Sequence, residues 1–75
     1  MEEKLEKTLG EVRVRTEFNA SGSTTVDKIK GRTAELINYV NSLPSENNSE
    51  QKRLVALALT AYEEAAMWAV KAATA

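Results

Sequence analysis

The sequence predicts an all-α fold: an antiparallel two-helix hairpin with a short N-terminal helix or extended arm, assembling into a compact homo-oligomer. Two long segments place apolar residues at the spacing of a helix face, and only the short stretch PSENNS separates them. A link this short makes two helices antiparallel neighbours. The second segment is apolar on two flanks, and one neighbouring helix covers only one of them. We therefore divide the chain into an N-terminal arm and turn, residues 1–23, and a helical hairpin, residues 24–75.

The composition limits both the stability and the chemistry of the chain. Domains as small as 75 residues are marginally stable and usually add disulfides, a metal or a partner chain. The sequence contains no Cys and no His, so we expect no disulfide, no metal site and no cofactor. Association with further copies of the chain is the stabilising device that remains.

The charge balance and the hydropathy pattern argue against several kinds of partner. Ten Lys and Arg against eleven Asp and Glu give a net charge of −1, which is unfavourable for binding DNA or RNA polymers. No apolar run reaches the ~18 residues of a membrane span. The acidic start MEEKLEKTLG lacks the apolar core of a secretory signal. We expect a cytoplasmic protein that binds neither a nucleic-acid polymer nor a membrane.

Two short patterns precede the hairpin. MEEKLEKTL predicts two turns of helix that end at Gly10. EVRVRTEF alternates between apolar and charged residues, which predicts an extended segment over residues 11–18, either a strand paired with another chain or an arm. One face of that segment would carry Val12, Val14, Thr16 and Phe18.

The first long helix begins after the turn cluster NASGST. Thr24 stands three residues before Asp27, as in a capping box, and Pro44 ends the helix. Gly31 costs about 1 kcal/mol of helix propensity at mid-helix, so it marks either a close contact or nothing. The predicted apolar stripe, widened by Ile37, consists of Val26, Ile29, Thr33, Leu36, Val40 and Leu43.

The last helix is predicted from Ser49 or a neighbour to about Thr74, with one polar stripe between two apolar flanks. The polar stripe consists of Arg53, Thr60, Glu63, Glu64, Met67, Lys71 and Thr74. The Leu54 flank consists of Leu54, Ala58, Ala61, Ala65, Trp68 and Ala72. The Val55 flank consists of Val55, Leu59, Tyr62, Ala66, Val70 and Ala73. The preceding helix covers one flank, and a second copy of the chain is expected to cover the other; the alternative is a helix rich in Ala for propensity alone.

Paired carboxylates are the first candidates for catalysis. Glu63 and Glu64 are adjacent, so on a helix they diverge by about 100° and do not converge on one substrate atom. The sequence has no Ser/His/Asp set, no G-x-G-x-x-G and no P-loop. We expect no enzyme activity.

The stretch FNASGSTTVDKIK is the candidate binding site. The start of a helix offers unpaired N–H groups to an anion, and the Ser/Thr/Gly turn before it adds amides and hydroxyls. Lys28 and Lys30 lie in the first two turns, and Phe18 offers a flat face on which a base can stack. The alternative is that Phe18 is core, that Ser23 and Thr24 only cap the helix, and that both lysines are solvated.

These residues carry a family resemblance. FNASGSTTVDKIK, LINYVNSLP and ALTAYEEAAMWAVKAATA resemble the phage anti-CBASS sponge family of the second type, whose hairpin domain also occurs in Thoeris anti-defence sponges. The resemblance runs from about Phe18 to Ala75 and is most specific over residues 63–72. It implies a compact hexamer that binds cyclic di- or trinucleotide immune messengers in the host bacterial cytoplasm without cleaving them.

The resemblance also implies the roles of individual residues. Base stacking falls to Phe18, with Arg15 as the alternative, and Ala20 stands where the resemblance leads us to expect Pro. The predicted ligand-binding residues are Phe18, Asn19, Ser21, Ser23, Thr25, Lys28 and Lys30. The predicted oligomer interface consists of Leu59, Tyr62, Glu63, Ala66, Trp68 and Val70. The competing hypothesis is an oligomeric protein–protein interaction module without a small ligand, such as an adaptor or an antitoxin-like subunit.

Overall fold

The computed structural model describes residues 6–20, 22–44, 46 and 48–75 and contains three helices. They are α1 (Leu9–Val14), α2 (Thr24–Asn41) and α3 (Ser49–Ala73). Helix α2 packs against both α1 and α3, and no strand occurs in the described residues. The predicted all-α helical hairpin is confirmed.

Helix α1 corrects two predictions, because its residues were expected to be partly extended. Thr8 and Glu11 form a reciprocal capping box: the Glu11 N–H donates to Thr8 Oγ1 at 3.2 Å, and the Thr8 N–H donates to Glu11 Oε1 at 2.9 Å. The helix therefore starts at Leu9 and does not end at Gly10; the predicted turns at residues 1–5 lie outside the described residues. Val12 is 56% exposed and Val14 7%, so the two valines do not share a face as they would in a strand.

Gly10 and Asn38 fix α1 against α2. The Gly10 N–H donates to Asn38 Oδ1 at 2.8 Å, and Asn38 Nδ2 donates to Thr8 Oγ1 at 3.0 Å. A Cβ placed on Gly10 would lie 2.1 Å from the carbonyl oxygen of Ala34. The two backbones therefore approach so closely that only glycine fits at position 10.

Helix α2 begins and ends close to the predicted residues, but its buried face is rotated. The N-cap is Ser23, whose hydroxyl accepts from the N–H groups of Thr25 and Val26, so the predicted cap at Thr24 is wrong by one residue. The buried residues are Val26, Lys30, Ala34 and Ile37. Leu36 and Leu43, predicted to lie in the apolar stripe, are exposed, because the contact with Gly10 turns Ala34 toward α1.

Helix α3 is capped by Asn48 and buries one of its two apolar flanks. On the Val55 flank, Leu59 and Ala66 are buried, and Val55 and Tyr62 pack against the same core. On the Leu54 flank, Leu54 and Trp68 remain exposed, as do most of its alanines. The predicted division of α3 into a covered and an uncovered flank is present in the chain. None of the described helices is long and apolar enough to span a membrane.

The chain is flat. Its principal extents are 42, 40 and 12 Å, and its radius of gyration is 14.0 Å, whereas a compact domain of this length has about 11 Å. A slab this thin buries few side chains. The buried apolar residues among those described are Val14, Val26, Ala34, Ile37, Leu59 and Ala66.

Candidate functional site

The turn between α1 and α2 presents Phe18 to solvent. Helix α1 ends at Val14, and Arg15 caps it with a left-handed backbone conformation (φ 57°) that turns the chain away from the helix. The Phe18 N–H donates to the Arg15 carbonyl at 2.9 Å and closes the turn. The Phe18 side chain is 63% exposed, which is unusual for phenylalanine in a chain with so little covered core.

Lys30 binds the backbone of this turn. Its ammonium donates to the carbonyl oxygen of Arg15 at 3.0 Å and to that of Phe18. It also lies 5.3 Å from the centroid of the Phe18 ring, within the range of a cation–π interaction. Lys30 is only 8% exposed, so its charge is compensated by backbone carbonyls and an aromatic face instead of by water.

A cleft of about 470 Å³ lies between this turn and the second half of α3, and we call it the main cleft. This volume falls within the range of small-molecule sites. The residues that line the main cleft are Arg13, Val14, Arg15, Phe18, Lys30, Glu63, Ala66, Met67 and Val70. The cleft thus combines one exposed aromatic ring, an apolar floor and three cationic side chains.

The three cationic side chains of the main cleft differ in whether they already have a hydrogen-bond or ion-pair partner. Arg13 Nε donates to Glu63 Oε1 at 2.9 Å, and Arg13 Nη2 reaches Thr60 Oγ1 at 3.4 Å, which ties α1 to α3. Lys30 is held by the two carbonyls of the turn. The Arg15 side chain has no hydrogen bond or ion pair within the part of the chain that the structure describes.

The polar groups at the start of α2 already bond to one another. Asn19 Nδ2 donates to the Ser23 carbonyl at 2.7 Å and to Asp27 Oδ1 at 2.9 Å, and the Ser23 N–H donates to Asn19 Oδ1 at 3.3 Å. Ser23 Oγ accepts from the N–H groups of Thr25 and Val26 at 3.1 and 3.3 Å. The arrangement is a closed loop with a carboxylate beside it, which holds the Phe18 turn in place.

The family model described as Acb2/Tad1, hairpin domain, matches residues 9–74, which include all three helices and the whole lining of the main cleft. The chain belongs to the Acb2/Tad1 hairpin family. At the level of the family, this places it among phage anti-defence sponges for cyclic nucleotides. Searches of curated proteins and of solved structures found no match.

The residues predicted to bind ligand in this Acb2/Tad1 hairpin do not all lie together. Phe18 and Lys30 line the main cleft, whereas Thr25 and Lys28 are exposed and lie outside its wall. Asn19 and Ser23 belong to the closed loop beside it. Ser21 lies outside the described residues. The ligand-binding role of each of these residues stays a prediction.

The residues predicted for the oligomer interface fall into two groups. Leu59 and Ala66 are buried in the chain's own core, and Tyr62 packs against it. Glu63 and Val70 line the main cleft. Trp68 is 59% exposed on the uncovered Leu54 flank.

Three residues of the main cleft, Arg13, Val14 and Met67, have no site role in the prediction from sequence. The alternating pattern places Arg13 on the charged face of an extended segment, and helical periodicity places Met67 in the polar stripe of α3. The capping box formed by Thr8 and Glu11 is a sequence signal that would have revealed α1 and hence placed Arg13 on a helix. No local signal connects Arg13 with Glu63.

Proposed function

We propose that this protein binds cyclic di- or trinucleotide second messengers in the main cleft and holds them without cleaving them. The family match indicates the ligand class, and the exposed Phe18 ring beside three cationic side chains is the observation that carries the proposal. Aromatic rings stack on nucleobases irrespective of sequence, and cationic groups bind the phosphates that join them. Sequestration of this kind would deprive a host immune effector of its signal in the bacterial cytoplasm.

The chemistry of the main cleft favours binding over catalysis. Glu63 is the carboxylate in its lining, and it already accepts a hydrogen bond from Arg13 at 2.9 Å. A general base must reach the proton that it removes, and the Glu63 carboxylate is instead engaged by the Arg13 guanidinium. A nucleotide placed in the cleft would therefore meet stacking and charge, and no group poised for hydrolysis.

We further propose that the working form is a homo-oligomer, a hexamer as the family resemblance implies. The flat shape and the uncovered Leu54 flank support this assembly, because a second copy would bury apolar residues that the chain itself leaves exposed, Leu54, Leu57 and Trp68 among them. An assembly of identical copies also presents the same groups to a ligand more than once, which suits a cyclic nucleotide of repeated units.

Native mass spectrometry tests the proposal directly. The full chain would be measured alone and with cyclic di-AMP, cyclic di-GMP, cyclic GMP-AMP and cyclic tri-AMP. We expect a discrete oligomer that gains the intact mass of at least one of these nucleotides at fixed stoichiometry. A nucleotide recovered as its linear product would indicate turnover. An oligomer that takes up none of them would favour the interaction module, and a monomer would refute the argument from the Leu54 flank.

A matched pair of aromatic substitutions tests the site. Phe18→Ala removes the exposed ring of the main cleft, and Tyr39→Ala removes an exposed ring on α2 that does not line it. Loss of a base–aromatic stack costs ~1–3 kcal/mol per base, or roughly five- to 150-fold in affinity. We expect that loss for Phe18→Ala only. Equal affinity in the two variants would show that the ligand does not bind in the main cleft.

A further inference from the structure

The three cations of the main cleft differ in what they already bind, and this difference assigns them different roles. We propose that Arg15 binds a phosphate of the cyclic nucleotide and that Lys30 is a positioning residue, which holds the turn that carries Arg15 and Phe18. The inference rests on the proposed function and refines it, because the sequence pattern had pointed to the lysines of α2 as the phosphate-binding groups.

Arg15 has the placement that a phosphate-binding residue needs. A second cleft of about 430 Å³, which we call the side cleft, adjoins the main cleft, and Arg15 and Phe18 line both. These two side chains therefore form the ridge between the clefts. A nucleotide whose base stacks on Phe18 places its phosphate next to Arg15. The guanidinium fork bonds two phosphate oxygens at once and carries its charge at every working pH.

The other cations either have partners already or lie outside both clefts. Arg13 uses Nε and Nη2 to hold Glu63 and Thr60, so binding a phosphate would break the link between α1 and α3. Lys28 is exposed and lines neither cleft. Within the described part of the chain, Arg15 is the cation of the main cleft whose side chain has no competing partner.

Lys30 acts through the backbone of the two residues that would meet the ligand. Its ammonium uses two of its three N–H groups on the carbonyls of Arg15 and Phe18, which it holds together. Lys30 is 8% exposed, so most of its side chain is covered by the protein itself. Lys30 thus fixes the backbone of the two residues that carry the guanidinium and the ring.

Three single variants and the salt dependence of binding separate these roles. Arg15→Gln removes the charge at the ridge, Lys30→Met removes the ammonium beneath the turn, and Arg32→Gln removes the charge of an exposed arginine on α2 that lines neither cleft. Each full-length variant would be titrated calorimetrically with the four cyclic nucleotides used for native mass spectrometry, at about 50 mM and about 300 mM NaCl. An ion pair exposed to solvent weakens over this range because added salt screens it.

We expect each role to give its own result. Arg15→Gln should lower affinity by roughly ten- to hundredfold, the worth of a charge-assisted hydrogen bond, and should flatten the salt dependence. Lys30→Met should lower affinity but keep the salt dependence of the wild type, because it leaves the ion pair with phosphate in place. Arg32→Gln should match the wild type. Native mass spectra would confirm that each variant keeps the wild-type oligomeric state.

The outcomes distinguish this inference from the function on which it rests. If the wild type binds a nucleotide and Arg15→Gln binds it equally well, the assignment of Arg15 is wrong and the sponge function stands. If Lys30→Met flattens the salt dependence, Lys30 contacts the phosphate and is not a positioning residue. If the wild type binds none of the four nucleotides, the proposed function fails and this inference fails with it.

Discussion

The contact between Gly10 and Ala34 gives the most demanding test of the fold. In Gly10→Ala the new Cβ would lie 2.1 Å from the carbonyl oxygen of Ala34 and 2.7 Å from its carbonyl carbon. Ordinary contact begins near 3.4 Å, so α1 must withdraw by about 1.3 Å. Backbone atoms of a helix interior cannot yield as a flexible side chain would, and the displacement falls on α1.

The magnitude follows from what this displacement breaks. Overpacking costs ~1–3 kcal/mol. Loss of the 2.8 Å hydrogen bond from the Gly10 N–H to Asn38 adds about 1 kcal/mol. The higher helix propensity of alanine returns about 1 kcal/mol. The net loss is therefore ~1–3 kcal/mol, a large part of the ~4–11 kcal/mol expected for a chain of this length.

Gly31→Ala is the matched control, because it makes the same chemical change in a helix without a clash. Among the described residues, and apart from the neighbouring backbone of α2 itself, no heavy atom lies within 4 Å of the position that a Cβ on Gly31 would occupy. We expect this variant to gain about 1 kcal/mol from helix propensity alone. Urea unfolding followed by far-UV circular dichroism, with all variants at one protein concentration, measures both changes.

The two variants should move in opposite directions. A Gly10→Ala protein as stable as the wild type would refute the close approach of α1 to α2 and, with it, the position of the main cleft. A Gly31→Ala protein that loses stability would indicate that Gly31 lies at a contact between copies of the chain, since no described residue outside the adjoining turns of α2 opposes a methyl group there.

Three further predictions test the turn, the uncovered flank and the start of α3. Lys30→Met should cost ~1–3 kcal/mol in urea unfolding, because the Phe18 carbonyl loses its donor; an unchanged midpoint would contradict this. If the chain forms the proposed oligomer, Trp68→Ala should shift it to smaller species in light scattering while helix content stays constant, since the ring is exposed within the chain; an unchanged mass would exclude Trp68 from the proposed interface. The hydrogen bond from Arg53 lowers the pKa of Glu50 from 4.5, so Glu50→Gln should melt below the wild type at pH 7, and the two melting temperatures should converge as the pH falls through that lowered pKa.

Local signals in the sequence were sufficient for the hairpin. Asn48 and Ser49 begin α3, and Pro44 follows the end of α2, because caps and proline act on their immediate neighbours. The two apolar flanks of α3 could be read from helical periodicity alone. Which flank the chain itself covers could not, since both have the same spacing and only the packing of α2 decides between them.

Helix α1 and the main cleft needed information from distant residues. The alternation of Val12 and Val14 indicates a strand, while Thr8 and Glu11 indicate a helix cap. Over so few residues, the hydrogen bond from the Gly10 N–H to Asn38 favours the helix over the strand. The burial of Lys30 depends on carbonyls 12 and 15 residues away. Arg13 and Glu63 are separated by 50 residues, so no pattern within either segment predicts their ion pair.

The order in which the helices pack has a consequence for how quickly the protein becomes active. Helix α1 packs chiefly on α2, and α2 on α3, so most contacts join elements that follow one another along the chain. Chains of this kind fold in microseconds to milliseconds. Assembly of separate copies is slower and depends on concentration. If the oligomer is the form that binds the cyclic nucleotide, the rate of protein synthesis, and not the rate of folding, would determine how soon the messenger is sequestered.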